Sequence, residues 1–500
     1  MSLKRLAIAV AALVVVSAIT LGLISGTFGR LVGFPPATSE PGPSATTAAT
    51  APRTASAPAD GAPSSPSTRT VGTAPPATSS TDTPPADTST ELPRPVLFPA
   101  PPGPKPAAAT VADRIKAVSS KGVGGHYTGT VVDVGIGKVV FEHRAGSAEI
   151  PASVTKLLTS AAALTELGPQ HRFTTKVVSG AEKQIILVGG GDPYLAKKSS
   201  KSTYPARASL GGLAAQTAAA LKKSKQTSVR LGYDDSLFTG PAWNPSWPSG
   251  YGDQVTRTSA LWVDEGRLAG YSPGPRTSDP SGQAAKVFAQ ALRKRGIKVT
   301  AIKADEAAAT DEAIASVRSM SLERIVERVL MASDNDGAEV LFRQVAVAAG
   351  RDGSISQARK QLKETLTELG AWHDDTVVRD GSGLSRDNRI GADTLARVLQ
   401  LAAEKSHPEL RALITGLPVA GVEGSLRYRF GTDDTTSARG LVRGKTGTLR
   451  RVYSLAGFVR TVDGTLVVYA FIVNGSPNAY AAQTWLDEVT AAVASCGCRN

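Results

Sequence analysis

A serine and a lysine three residues apart are the first pair in this chain that could do chemistry together. Ser153 and Lys156 form the only Ser-x-x-Lys in the sequence. A serine hydroxyl is a weak nucleophile at neutral pH and needs a base beside it. Lysine can be that base where burial or nearby positive charge lowers its pKa. On a helix the i,i+3 spacing puts both side chains on one face, and a helix N-terminus adds positive potential of the right sign. Alone the pattern is weak, because a capping serine followed by a surface lysine reads the same way.

Two more clusters give it weight. Ser333-Asp334-Asn335 follows an apolar-periodic run, Leu322–Met331, that reads as a helix. It offers a hydroxyl that can relay a proton and an amide that can hold a peptide. Lys445-Thr446-Gly447-Thr448 opens an extended stretch. A cation and hydroxyls on a strand edge suit the carboxylate end of an extended peptide, and Gly447 lets a backbone approach closely. Together these residue types suit a serine nucleophile with a lysine base beside groups that hold an extended peptide.

Competing motifs are weaker. Ser476-Pro477-Asn478 also fits Ser-x-Asn but sits in a turn after a strand. Gly270-Tyr271-Ser272-Pro273-Gly274 has the Gly-x-Ser-x-Gly spacing of a nucleophile elbow. That device needs the backbone N–H of the residue after the serine, and Pro273 has none. Gly440 to Thr446 falls one residue short of a phosphate-binding loop and leads into a strand rather than a helix. The five histidines lie far apart, and the two cysteines, Cys496 and Cys498, crowd the C-terminal end. Neither set has metal-site spacing, so no metal and no cofactor are expected.

The elements that must position these residues are legible in outline. Thr128–Val134 and Lys138–His143 read as a hairpin around Gly135-Ile136-Gly137. The stretch from Ser153 reads as a buried helix stopping at Gly168. Lys445–Leu449, Val452–Val459 and Thr465–Val473 are strand candidates, with Asp463-Gly464 turning between the last two. A helix over about 478–494 closes the chain. Early strands, a buried helix and late antiparallel strands predict one α+β domain built from both ends of the chain, an antiparallel sheet flanked by helices.

The N-terminal part reads differently. Lys4 and Arg5 precede an apolar run, Leu6–Ile24, close to the ~20 residues of a spanning helix. Residues 1–30 are expected to be a membrane anchor or, with Val16-Ser17-Ala18 as a cleavage site, a signal segment. Either delivers the rest outside the cytoplasm. Residues 31–107 hold 19 of the 32 prolines and read as a disordered Pro/Ala/Ser/Thr linker, with a span of roughly 50 Å as a flexible coil. The formal charge is +13, which favours an anionic wall polymer or lipid surface. No basic run interleaved with aromatics and no finger-type Cys/His spacing points to nucleic acid.

Taken in order, Ser-x-x-Lys, Ser-Asp-Asn and Lys-Thr-Gly resemble the signature of penicillin-binding proteins and class A β-lactamases. Ser153 and Ser333 stand 180 positions apart, much further than in class A β-lactamases. That interval resembles the D-alanyl-D-alanine carboxypeptidase/endopeptidase family, the DacB-like class C low-molecular-mass penicillin-binding proteins. Leu187–Pro193, Asp234–Phe238, Trp243–Trp247, Asp380–Arg386 and Leu417–Gly424 are similar to that family too. The resemblance spans about 108–495. It implies a penicillin-binding/β-lactamase-like domain over 108–181 and 318–500, with an inserted domain at 182–317. That insertion is shorter than in members with two inserted domains, so this sequence departs from them and a second inserted domain is expected to be reduced or missing. It also implies roles. Ser153 attacks the penultimate D-Ala carbonyl and Lys156 takes its proton. Ser333 passes a proton to the leaving amine, and Asn335 binds substrate and orients Lys156. Lys445 fixes the terminal carboxylate with Thr446 and Thr448, next to Gly447. The backbone N–H groups of Ser153 and Thr448 form the oxyanion hole, where a donor is typically worth about 3–4 kcal/mol. The expected partners are peptidoglycan stem peptides, β-lactams that acylate the same serine, and a membrane through the N-terminal segment. A β-lactamase shares the motifs and differs in its rate of deacylation. A non-catalytic wall-binding protein has no need of a nucleophile and base.

Overall fold

The computed structural model describes residues 107–200 and 205–496. The apolar segment and the proline-rich stretch, and with them the anchor, signal and linker expectations, lie outside the described residues. So does Cys498; Cys496 is buried and disulfide-bonded. Among the described residues no helix is long and apolar enough to cross a membrane.

The expected hairpin forms as β1 (His126–Asp133) and β2 (Lys138–His143). The late strands are β8 (Arg443–Leu449), β9 (Val452–Arg460) and β10 (Leu466–Asn474). Together they make one antiparallel sheet ordered β2-β1-β10-β9-β8. The two ends of the chain meet at β1 and β10, where Val131 faces Tyr469. Along β10, Val467, Tyr469, Phe471 and Val473 point into one core and Val468, Ala470 and Ile472 into another. The strand reads as a continuous apolar run because both faces are covered. Helices α1 (Ala108–Ala117) and α10 (Ala479–Ala494) lie on the first side. On the other side lie α2 (Thr155–Leu167) and α8 (Ala392–Ala403). Each fully buried Val, Leu, Ile or Phe contributes about 1.5–3 kcal/mol.

The helix expected from Ser153 begins as a short 3-10 turn, Ala152–Val154, and runs on as α2. It stops where expected: Gly168 has φ +77° and its N–H bonds Leu164 O at 3.0 Å. Around α2 pack α5 (Leu322–Met331), α6 (Asn335–Ala348) and α7 (Ile355–Glu368). A short α9 (Ala412–Thr415) lies against α5 and α8.

A second sheet occupies the middle of the chain, ordered β6-β5-β4-β3-β7. Its strands are β3 (Thr174–Ser179), β4 (Gln184–Val188), β5 (Ser228–Asp234), β6 (Lys298–Ala304) and β7 (Ala313–Arg318). The sheet therefore starts at Thr174, ahead of residue 182. β4, β5 and β6 run parallel, so each connection must cross over. Those crossovers carry α3 (Leu210–Lys223) and α4 (Pro280–Arg293), which pack with the sheet into a separate core around Phe288, Leu213 and Leu231.

Candidate active site

Ala152 holds φ +54° just before Ser153, a conformation a non-glycine residue keeps only where its surroundings enforce it. The 3-10 turn then stacks residue i+3 over residue i, which brings Lys156 onto Ser153. Lys156 is fully buried and Ser153 half-buried. Lys156 Nζ lies 3.0 Å from Ser153 Oγ, 2.8 Å from Asn335 Oδ1 and 2.6 Å from Ser382 O. Burial lowers its pKa to about 8, against the opposing pull of Asp380, Glu339, Asp334 and Asp336.

The second motif sits in the turn between α5 and α6. Asp334 caps α6, its Oδ1 accepting from the N–H of Asp336 at 3.0 Å and of Gly337 at 3.3 Å. This serves the free donors of a helix start. Ser333 has φ +53°, and its Oγ accepts from Lys445 Nζ at 2.7 Å. Lys445 enters from β8, the edge strand of the first sheet. It also donates to Thr446 O at 2.8 Å. Burial, and then the Lys156 charge, hold its pKa well below the lysine range.

Gly447 explains its own identity. A Cβ there would meet Ser454 Oγ, stand 2.7 Å from Pro151 O and reach 3.1 Å from Ser153 N. Only glycine lets β8 lie this close to the backbone of Ser153. Ser454 Oγ in turn donates to Pro151 O at 2.7 Å, which ties β9 to the same turn. Thr446 is partly exposed, with its hydroxyl 2.7 Å from Ser425 Oγ, and Thr448 is exposed. All eight residues singled out in the sequence thus lie on the three segments that meet here. Ser476 is elsewhere: its Oγ donates to Val123 O, while Asn478 caps α10. Among the described residues no group of His, Cys, Asp and Glu is arranged to hold a metal ion.

Several contributors carried no chemical signal in the sequence. Ser382 supplies a carbonyl to Lys156 from the Asp380–Arg386 stretch, whose resemblance to a family was visible while its role was not. Asp380 folds that stretch, accepting from Gly383 N, Ser385 N, Asn388 Nδ2 and Trp247 Nε1. Glu339 accepts from Ser382 N at 2.7 Å, and burial, with Asp380 beside it, pushes its pKa up to about 8. Gln254 O accepts from Asn335 Nδ2 at 3.1 Å. Nothing in the sequence marks Glu339 or Gln254, since each meets its partner only after folding.

Chemically, the arrangement offers a half-exposed hydroxyl against a buried amine, with a second hydroxyl against a second amine. A neutral lysine has two N–H bonds and one lone pair. Asn335 Oδ1 and Ser382 O can take both hydrogens of Lys156, leaving the lone pair for the Ser153 hydroxyl.

Known proteins share this chain's sequence and fold. The sequence profile described as the D-Ala-D-Ala carboxypeptidase 3 (S13) family matches residues 111–272 and 268–494. A carboxypeptidase of Mycobacterium tuberculosis is 33% identical over 427 residues, 80% of this chain and 89% of that protein. The carboxypeptidase DacB of Mycolicibacterium smegmatis is 34% identical over 403 residues, 79% of this chain and 86% of that protein. The crystal structure of penicillin binding protein 4 (dacB) from Haemophilus influenzae superposes with TM-score 0.63 at 21% identity, covering 76% of this chain and 97% of that one. A structure of the same protein complexed with a β-lactam superposes at 0.58 and 21% identity, with the same coverage.

Proposed function

The chain belongs to the D-Ala-D-Ala carboxypeptidase 3 (S13) family, and from that premise we propose that it hydrolyses D-Ala-D-Ala stem peptides through an acyl-enzyme on Ser153. The observation that carries this reading is the buried Lys156 Nζ held by Asn335 Oδ1 and Ser382 O while it faces Ser153 Oγ. An amine with a pKa of about 8 is in the range a general base needs near neutral pH.

In acylation, Ser153 Oγ bonds the penultimate D-Ala carbonyl carbon, and its proton passes to Lys156. The C–N bond to the terminal D-Ala then breaks. A proton delivered through Ser333, next to Lys445, leaves with the amine. Water attacks the ester in the second half and frees Ser153. The N–H groups of Ser153 and Thr448 are the oxyanion donors in this reading. Gly447 supports it, because its lack of a side chain brings β8 against Ser153 N. Lys445, with Thr446 and Thr448 beside it, receives the terminal carboxylate, and that negative charge favours the ammonium form of Lys445 again. A β-lactam presents a carbonyl and a carboxylate in the same relation, so it acylates Ser153 as well.

The domain division belongs to the same proposal. The first sheet and its helices form the catalytic domain, and the second sheet with α3 and α4 is the insertion. A D-Ala-D-Ala substrate places the site of action outside the cytoplasm, and the apolar Leu6–Ile24 run supports an anchor or signal there.

The test is intact-protein mass spectrometry of the full chain after exposure to benzylpenicillin, beside Ser153→Ala, with D-Ala release from a pentapeptide as the second assay. The proposal expects one penicillin adduct on wild type only, together with D-Ala release. Rapid destruction of penicillin without D-Ala release would make this a β-lactamase. Labelling that survives Ser153→Ala would overturn the assignment of the nucleophile.

A further inference from the structure

Residues 333–336 alternate between two environments. Ser333 and Asn335 face the two lysines. Asp334 and Asp336 face a cluster supplied by residues 254–276, part of the connection between β5 and α4. There Arg267 Nη2 lies 3.3 Å from Glu265 Oε1, 3.6 Å from Asp334 Oδ2 and 3.5 Å from Asp336 Oδ2. Arg276 Nη2 lies 3.2 Å from Asp336 Oδ2. The backbone joins in: Thr256 N–H donates to Asp336 Oδ1 at 2.7 Å, and Gln254 O takes Asn335 Nδ2. Tyr194 OH donates to Asp334 Oδ2 at 3.2 Å. All of these charged side chains except that of Arg267 are almost wholly buried.

We propose that Arg267 and Arg276 are positioning residues for the acyl-transfer site, clamping the Asp334/Asp336 side of the turn so that Ser333 and Asn335 stay aligned with Lys445 and Lys156. The proposal rests on the reading of the site given above. Three observations lead to it. The turn is conformationally demanding, since Ser333 holds φ +53°, and such a residue persists where its neighbours over-determine it. The clamp is demanding too: Asp264, Glu265 and Gly266 all have positive φ, which aims Glu265 into the cluster beside Arg267. Finally, Asn335 is held from both sides at once, by Lys156 through Oδ1 and by Gln254 through Nδ2. A shift of the 254–276 segment therefore moves the amide that presents Lys156 to Ser153.

The charges agree with this geometry. Burial pushes Glu265 well above the carboxylate range and Asp336 up to about 6. For Asp334, burial is outweighed by the hydrogen bond to Glu265 and by the Arg267 guanidinium, and the net direction is down. Removing a guanidinium leaves buried carboxylate charge unpaired. That charge is relieved by taking up a proton or by loosening the turn.

The test uses the full chain and compares wild type, Arg267→Met, Arg276→Met and the double variant Arg267→Met/Asp336→Asn. The readouts are the second-order rate of benzylpenicillin acylation, kcat and KM for D-Ala release, and Tm. Each single variant should lose about ten- to a hundredfold in acylation rate, with kcat falling more than KM rises. The variant-to-wild-type ratio should climb as pH falls, and the climb should begin above about 6, because the missing guanidinium no longer holds the Asp336 carboxyl down. Asp336 is faced by Arg267, Arg276 and Glu265 from the connection, Asp334 from its own turn and Lys156 across it. The double variant should regain most of the lost rate, since it removes a carboxylate along with its cation and asparagine keeps an acceptor for Thr256 N–H. Wild-type rates in folded single variants would overturn the proposal. So would a double variant no faster than Arg267→Met, with a flat pH ratio, which is the mark of a structural role alone. Wild type that neither labels nor releases D-Ala would instead overturn the reading of the site beneath it.

Discussion

In the first sheet, β9 and β10 are buried along nearly their whole length, with helices on both faces. In the second, β6 and β7 expose most of their residues. The difference matches what each sheet is asked to hold. The first holds the turn of the candidate site: β8 lies so close to Ser153 that one methyl group would not fit at Gly447, and β9 is bonded to the same turn through Ser454. Close-packed interiors deform little, so a strand buried on both sides is a firm reference for atoms that must stay within tenths of an ångström. The second sheet meets the candidate site through loops, Gln254 and Thr256 on one and Tyr194 on another, while its outer strands face solvent.

Predictions follow from trying to erase that contrast. The largest effect belongs to Ser153→Ala, which should abolish the penicillin adduct and lower D-Ala release by on the order of 10⁴-fold or more, as read by mass spectrometry and amino-acid assay. Next is a matched pair of glycines. Gly447→Ala should slow acylation by about a hundredfold, because the new methyl displaces β8 from Ser153. Gly232→Ala on β5 would meet side-chain atoms of Ile186, Asp305 and Gln184 at 3.1–3.3 Å and should leave acylation unchanged. Equal losses in both would remove the distinction between the sheets.

A matched pair of phenylalanines is gentler. Phe471→Ala in the first sheet and Phe288→Ala in the second core each remove a fully buried ring and should cost about 3–5 kcal/mol in denaturant melts. Only Phe471→Ala should also slow acylation by the protein that remains folded.

The pH profile sharpens the role of the first sheet's helix. Lys156 accepts a proton only when neutral, so acylation should rise with pH and level off above about 8, followed as the rate of penicillin labelling. The smallest effect is expected from Glu339→Gln. The Glu339 carboxyl is neutral at pH 7, and glutamine keeps an acceptor for Ser382 N–H, so activity there should barely change. Its raised pKa means that its contribution to stability is full at acid pH and is lost as pH rises through about 8. The Tm of Glu339→Gln should therefore fall less than that of wild type between about pH 5 and pH 8.

The sequence by itself determined the three chemical segments and most of the first sheet. Ser153/Lys156, Ser333/Asn335 and Lys445–Thr448 stood out because the chemistry proposed for them needs particular side chains at short spacings. The hairpin, the late strands and the stop of α2 at Gly168 were legible because short apolar runs, an Asp-Gly turn and a helix-ending glycine are local signals. Local signals could not say that β3 joins the second sheet from Thr174, since strand pairing with β4 and β7 is non-local. Only the tertiary structure decided how Lys156 is held and what braces Ser333 and Asn335. Ser382, Glu339, Gln254, Arg267 and Arg276 are ordinary residues in sequence, far along the chain from the groups they serve. Their effect depends on burial, which strips water from charges and makes each remaining hydrogen bond count, and burial is a property of the packed molecule rather than of any segment.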